Sequence, residues 1–312
     1  MPLKYEPDIV KENFRTLASN YGRNPPRDQI RKFVDDNFRP AGSDFEEWIP
    51  EDWKSCPLFL NKIRDPNLQK FAKELNSFWR RLGRRIISDV KARPEMYSMI
   101  YVNNPVIVPG GRFREFYYWD QYWILKGLLH CEMTSSVRGM LENFIQMVQE
   151  FGYIPNGGRI YYARSQPPLL IPMVNDYLDH TKNFTFLEKN IASLDKEFEF
   201  WRRNRNYTLD LNGETHTVIR YNVERDLPRP ESYVEDYELV SKIQSPNERT
   251  ELYENLKTAA ESGIDFSYRW FLPKDASEVG TLKDTKARNV IPIDLNVLFL
   301  RNAKIMQKFH AQ

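Results

Sequence analysis

Apolar residues recur at spacings of three and four in segment after segment of this chain, and that period commits it to packed helices. The longest run is Leu68, Phe71, Ala72, Leu75, Phe78, Trp79, Leu82, Ile86, Ile87 and Val90, which reads as one long amphipathic helix. Arg93-Pro94 then stops it, because a proline disfavours helix in the residue before it. The period returns in Val137, Met140, Leu141, Phe144, Met147, Val148 and Phe151, with Gly152 at the capping position. It returns again in Leu187, Ile191, Leu194, Phe198 and Trp201, opened by Thr185 and Glu188 at capping-box spacing. Shorter helices are expected at 121–131, 168–180, 234–244, 250–262 and 294–310, the last with Asp294 as N-cap. Strand patterning is confined to 102–108 and 208–221. The expected class is mainly α, with about eight helices.

The first 67 residues read differently. Prolines and short charged runs, as in GRNPPRDQIRKF and RPAGSDFEEWIPEDW, predict an irregular segment packed on the helical body formed by 68–312. The chain has 312 residues, enough for one large core or two ordinary ones.

Charge narrows the partners. Forty-five Lys and Arg against 43 Asp and Glu leave a net +2, no footprint for nucleic acid or an anionic membrane. Cys56 and Cys131 are too few for a disulfide framework, and His130, His180, His216 and His310 have no metal-ligand spacing. No cofactor is expected. No stretch reaches the roughly 18 apolar residues of a membrane span. The opening MPLKYEPDIVKENF has charges where a secretion signal needs an apolar core. Trp, Tyr and Phe total 14%; rings can stack on the C–H faces of sugars or simply fill a helical core.

Four segments between helices, PGGRFREFYYWD, IPNGGRIYYARSQPP, ERDLPRPESYVED and ESGIDFSYRWF, concentrate Gly, Pro, Arg, carboxylates and rings. Loops on a rigid scaffold are where sites are built. In the first, Gly110 and Gly111 permit a tight turn, Arg112 offers a planar fork of donors, Trp119 a stacking plate and Asp120 an acceptor. The plainer alternative is a glycine turn leading into a helix with a satisfied Arg–Asp pair.

This first string resembles the leading signature of the trehalases, glycoside hydrolases that cleave α,α-trehalose on an (α/α)6 toroid of helices. The likeness runs along nearly the whole chain, from FVDDNFRPAGSDFEEW and IPEDW to the final helix, and its wording is similar to insect members. By this resemblance the sugar-binding positions are Arg112, Trp119 and Asp120, then Asn156, then Arg164, Ser165 and Gln166, then Arg229 and Glu231, then Gly263. The general acid corresponds to Asp265. Ile264 stands where members often have Trp.

Residue chemistry is compatible with that assignment. Each glucose hydroxyl both donates and accepts, so a site for it wants Arg forks, carboxylates and amides. Glycoside hydrolysis needs an acid to protonate the leaving oxygen and a second carboxylate, about 6.5–9.5 Å away in an inverting enzyme, to activate water. For Asp265 to be a proton donor its pKa must rise through burial and a like-charged neighbour. The expectation is therefore that Asp120 and Glu231 neutralise the arginines around it.

The resemblance places the general base in a Glu beyond Gln312, with a second signature of QWDxPxxWxP type, and neither occurs in these residues. Eight helices also fall short of the twelve in such a toroid. The expected architecture is thus an incomplete toroid, prone to aggregate alone because helix faces stay uncovered. The expected function is trehalose hydrolysis by an inverting mechanism, or, as an alternative, a catalytically impaired trehalose-binding remnant. A third reading, an (α/α)6 glycosidase acting on a longer α-glucan, fits the first signature less well. By resemblance the full-length protein is extracellular or membrane-anchored, and Asn183 and Asn206 stand in glycosylation triplets.

Overall fold

The computed structural model describes residues 1–22, 24–273, 275, 277 and 279–311, and is mainly helical. It divides into two compact units. The first comprises Met1–Phe116, His130–Met140 and Gly158–Ile160; the second comprises Tyr117–Leu129, Leu141–Gly157 and Tyr161–Gln312.

In the first unit the segment 1–67 opens with two helices, α1 at Pro7–Tyr21 and α2 at Arg27–Asn37, while 38–65 holds only the short strand Phe45–Glu47 and a 3-10 turn at Leu58–Lys62. The prolines that suggested irregularity start these helices. Pro7 occupies the first turn of α1 and Pro26 precedes α2, where a missing N–H costs nothing. Phe14 and Phe33 meet edge to face at 5.7 Å, and Asn13 donates to the buried Asn37 at 2.7 Å.

The single long helix expected from Leu68 to Val90 is three helices and a strand. They are α3 at Pro66–Ser77, α4 at Trp79–Leu82, a strand at Gly83–Ile86, and α5 at Ser88–Ala92. A sheet interrupts it: β1 (Phe45–Glu47), β2 (Gly83–Ile86) and β3 (Val106–Ile107) are antiparallel in that order. Gly83 makes this possible. Its carbonyl accepts from the Trp48 N–H at 3.2 Å, and a Cβ there would fall 2.0 Å from the Trp48 carbonyl oxygen. Long-range pairing thus overrides local periodicity. Leu68 and Phe71 of α3, which were to face a core, are 60% and 59% exposed.

The second unit holds most of the long helices. α6 is Asp120–His130 and α7 is Thr134–Phe151, whose residues to Met140 count with the first unit. Then come α8 (Leu170–Thr181) and α9 (Phe184–Asn204), the hairpin of β4 (Asn206–Leu211) and β5 (Glu214–Ile219), α10 (Tyr233–Ser241), α11 (Pro246–Glu261) and α12 (Ile293–His310). Helices α8, α9 and α12 pack on one another. Trp201, Tyr221, Ala259, Trp270 and Leu295 draw α9, α11 and α12 into one core, and Val240, Leu252 and Leu256 join α10 to α11.

Gly152 follows α7 with φ 87° and returns its N–H to Val148, as its position predicted. Two caps differ from expectation. Asn183, not Thr185, caps α9, its Oδ1 accepting from the Phe186 N–H at 3.3 Å. Pro292 precedes α12, which leaves Asp294 in the first turn, paired to Arg269 at 2.8 Å.

Candidate active site

The second unit brings together residues from all four of its loops. Tyr118 donates its N–H to the Asn156 carbonyl at 3.1 Å, and Trp119 donates its N–H to Gln166 Oε1 at 3.0 Å. The first loop is therefore stitched to the second just before α6 begins at Asp120. Asn156 in turn donates to the Arg164 carbonyl at 3.0 Å, and its Oδ1 accepts from Arg164 Nε at 2.7 Å. Arg164 Nη2 reaches Glu231 Oε1 at 2.5 Å, tying in the third loop. Asn156, Arg164 and Gln166 are buried, and Glu231 is partly open.

Gly263 supplies the fourth junction. Its φ is 75°, and a Cβ there would lie 2.7 Å from the Trp119 indole, so both conformation and space call for glycine. Two residues on, Asp265 has φ 47°, an uncommon conformation for a residue with a side chain, and it is exposed rather than in the buried setting expected of it. Burial raises the pKa of the half-buried Asp120 carboxyl; a backbone hydrogen bond lowers it, and the negative charge of Asp265 raises it further. These two acids are thus in electrostatic reach of each other.

The arginines are neutralised, but not all by the expected partners. Arg164 has Glu231. Arg229 has Asp236, a residue outside the predicted set: its Nε donates to Oδ2 at 2.9 Å and its Nη2 to Oδ1 at 2.7 Å. The Arg229 N–H also donates to Asp236 Oδ2 at 2.9 Å, and the guanidinium stacks 4.6 Å over Phe266. Both members are buried. Burial alone would lower the Arg229 pKa, but Asp236 first, then Glu231 and Asp265, hold it above the ordinary value.

Ser165 is fully buried and turns its hydroxyl to the Ile154 carbonyl at 2.6 Å. Its position braces the loop. Arg112 belongs to the first unit, exposed and 4.8 Å over the Phe113 ring. The other nine predicted binding residues and Asp265 are in the second.

Sequence reading missed three charged residues here: Asp236, Lys257 and Glu261. Lys257 is buried on α11, and its ammonium donates to the Arg225 carbonyl at 3.3 Å. Burial, partly offset by Asp236, lowers its pKa to about 8, and Arg164 and Arg229 push the same way. Lys257 and Glu261 are four apart on a helix end where residues 255–262 are all buried. Two charges at helical spacing among Leu256, Ala259 and Ala260 are a readable signal, since buried charges are seldom unpaired.

Among the described residues, no group of three or more His, Cys, Asp or Glu is placed to hold a metal, and no helix is long and apolar enough to cross a membrane. The arrangement offers a ring plate, Arg forks, amides and two acids at one place, the equipment for holding a polyol.

Comparison with known proteins points the same way. The chain matches the model of the Trehalase family over residues 1–312. It is 50% identical over 311 residues to a trehalase of Apis mellifera, covering 99% of this chain and 50% of that one. It is 41% identical over 313 residues to a trehalase of Homo sapiens, covering 100% and 53%. The chain spans about half the length of these curated relatives. Among solved structures, the neutral trehalase Nth1 of Saccharomyces cerevisiae superposes with a TM-score of 0.50 at 25% identity, over 67% of this chain and 40% of that one. The family model covers the whole sequence, and the chain belongs to the trehalase family.

Proposed function

We propose that the protein hydrolyses α,α-trehalose to two glucose molecules, with Asp265 as general acid. The observation that carries this reading is the packing of Gly263 against Trp119, which joins the segment bearing Asp265 to the one bearing Asp120, beside the Arg164–Glu231 and Arg229–Asp236 forks. Asp120 and Glu231 accept from sugar hydroxyls, Gln166 and the arginines donate to them, and Trp119 stacks on a sugar face. Asp265 gives its proton to the bridging oxygen as the bond to the anomeric carbon breaks. A second carboxylate takes a proton from the water that attacks the opposite face. The resemblance puts that base in a Glu outside residues 1–312, and the helices of this chain then form part of an (α/α)6 toroid.

Inversion has a distinct readout. Attack on one anomeric carbon turns it to β while the other glucose keeps α, so early proton spectra should show the two anomers in equal amounts. Two α anomers would refute inversion. For the acid, Asp265→Asn should lower turnover by about 10²–10⁴-fold; unchanged turnover would reassign the role. An extracellular or membrane-anchored destination is part of the same reading and rests on the resemblance and the two glycosylation triplets.

A further inference from the structure

One carboxylate outside the sugar-binding set ties the fourth of the site's segments to the second and to the run that leads into the third. Glu261, the last residue of α11, is fully buried, and both its oxygens are used. Oε1 accepts from the Ser165 N–H at 3.0 Å and from Arg205 Nη2 at 2.7 Å. Oε2 accepts from Arg205 Nε at 2.8 Å and from the Asn222 N–H at 3.3 Å. Ser165 lies between Arg164 and Gln166, Asn222 precedes Arg229 by seven residues in a run with no helix or strand, and Asp265 follows Glu261 by four residues.

The support under Glu261 is itself stiff. Arg205 ends α9 with its N–H on the Trp201 carbonyl, its Nη1 on the Asn204 carbonyl at 3.0 Å, and its guanidinium 5.2 Å over Phe200. From Glu261 to Asp265 the path is also held. Ser262 Oγ donates to the Ala259 carbonyl at 2.5 Å and accepts from the Ile264 N–H at 3.3 Å, and Gly263 is pressed against Trp119.

We infer that Glu261, held by Arg205, is a positioning residue that sets the Asp265 carboxyl against the sugar-binding loop 164–166. This rests on the reading of Asp265 as the acid. A carboxylate suits the role because it accepts four bonds and presents no donor. A glutamine there would face its NH2 to the Arg205 or backbone N–H donors, and the two loops would have to shift to separate them. A misplacement of about 1 Å at a reacting group costs roughly 10²-fold in rate.

The test uses the full 312-residue chain with Glu261→Gln, Arg205→Lys, Asp265→Asn and, as control, Glu199→Gln on the exposed side of α9. Well below each variant's melting temperature, Glu261→Gln should lose about 10²-fold in kcat with KM changed little, and Arg205→Lys should move the same way by less. A Glu261→Gln chain that is folded and keeps its kcat within about threefold overturns the inference. If it does not fold, Arg205→Lys decides by the same split of kcat against KM. Should Asp265→Asn equal the parent, it is the reading of Asp265 that fails. If the parent shows no turnover, hydrogen exchange decides. Segments 160–168 and 262–267 should then exchange faster together in Glu261→Gln while 170–181 is unchanged, and an unaltered pattern overturns the inference.

Discussion

The Trp119 indole lies against the backbone of Gly263, so closely that a methyl group on the glycine would come within 2.7 Å of Cε2 and 2.8 Å of Cδ2. Trp119 precedes Asp120, and Gly263 is two residues before Asp265. This contact therefore helps set the distance between the two acids, and it can be tested by adding one carbon.

Gly263→Ala would force a side chain into a φ of 75° and into the ring. The backbone cost is about 1 kcal/mol and overpacking adds about 1–3 kcal/mol. A lower denaturant midpoint and a shifted tryptophan emission are expected. An unchanged midpoint would mean the indole retracts freely.

Asp236→Asn removes the charge that balances Arg229 in a buried pair. Leaving one member uncompensated costs about 3–5 kcal/mol. Calorimetric melting should show a much larger drop than Asp195→Asn, which alters a half-exposed acid paired to His310. Equal drops would show that Arg229 finds another partner or water.

Glu197 accepts a hydrogen bond from the Tyr118 hydroxyl, and complete burial raises its pKa to about 8, against the lowering effect of that bond. Between its ordinary value of 4.5 and about 8 the native state keeps a proton that the unfolded chain has lost. Stability from this group is then full below the lower value and is lost as pH rises through the upper one. Glu197→Gln keeps an acceptor for Tyr118 and should flatten that decline. Unfolding free energies measured on both chains across this range check it, and parallel curves would refute it.

In the proposed reading Asp120 binds sugar hydroxyls as an ionised acceptor, and burial together with Asp265 raises its pKa. Trehalose binding should therefore weaken on acidification at a higher pH than for an ordinary aspartate. Asp265→Asn removes one cause, so the midpoint should move to lower pH in a calorimetric titration. A midpoint that stays where it was would uncouple the two acids.

Much of this molecule was legible before folding. Most helices after residue 120 follow from apolar spacing, and Gly152 from its place after such a run. Asn156, Arg164, Gln166 and Glu231 are drawn together as their motifs suggested. The stretch 68–90 was misread because its period is helical, while the partner that makes Gly83 a strand, Trp48, is 35 residues earlier. The partner of Arg229 was misread for a related reason. Residue types name the charges present, but several acids could answer one guanidinium.

By itself the sequence determined the helical class and the family, and named the groups proposed to meet a sugar, because periodicity and compact motifs are local and survive in one dimension. Tertiary structure decided which charges pair, which residues face inward and which hold others in place. Glu261 meets Ser165 across 96 positions and Arg205 across 56, and only packing selects such contacts, since burying a charge is tolerable only where its partner arrives with it.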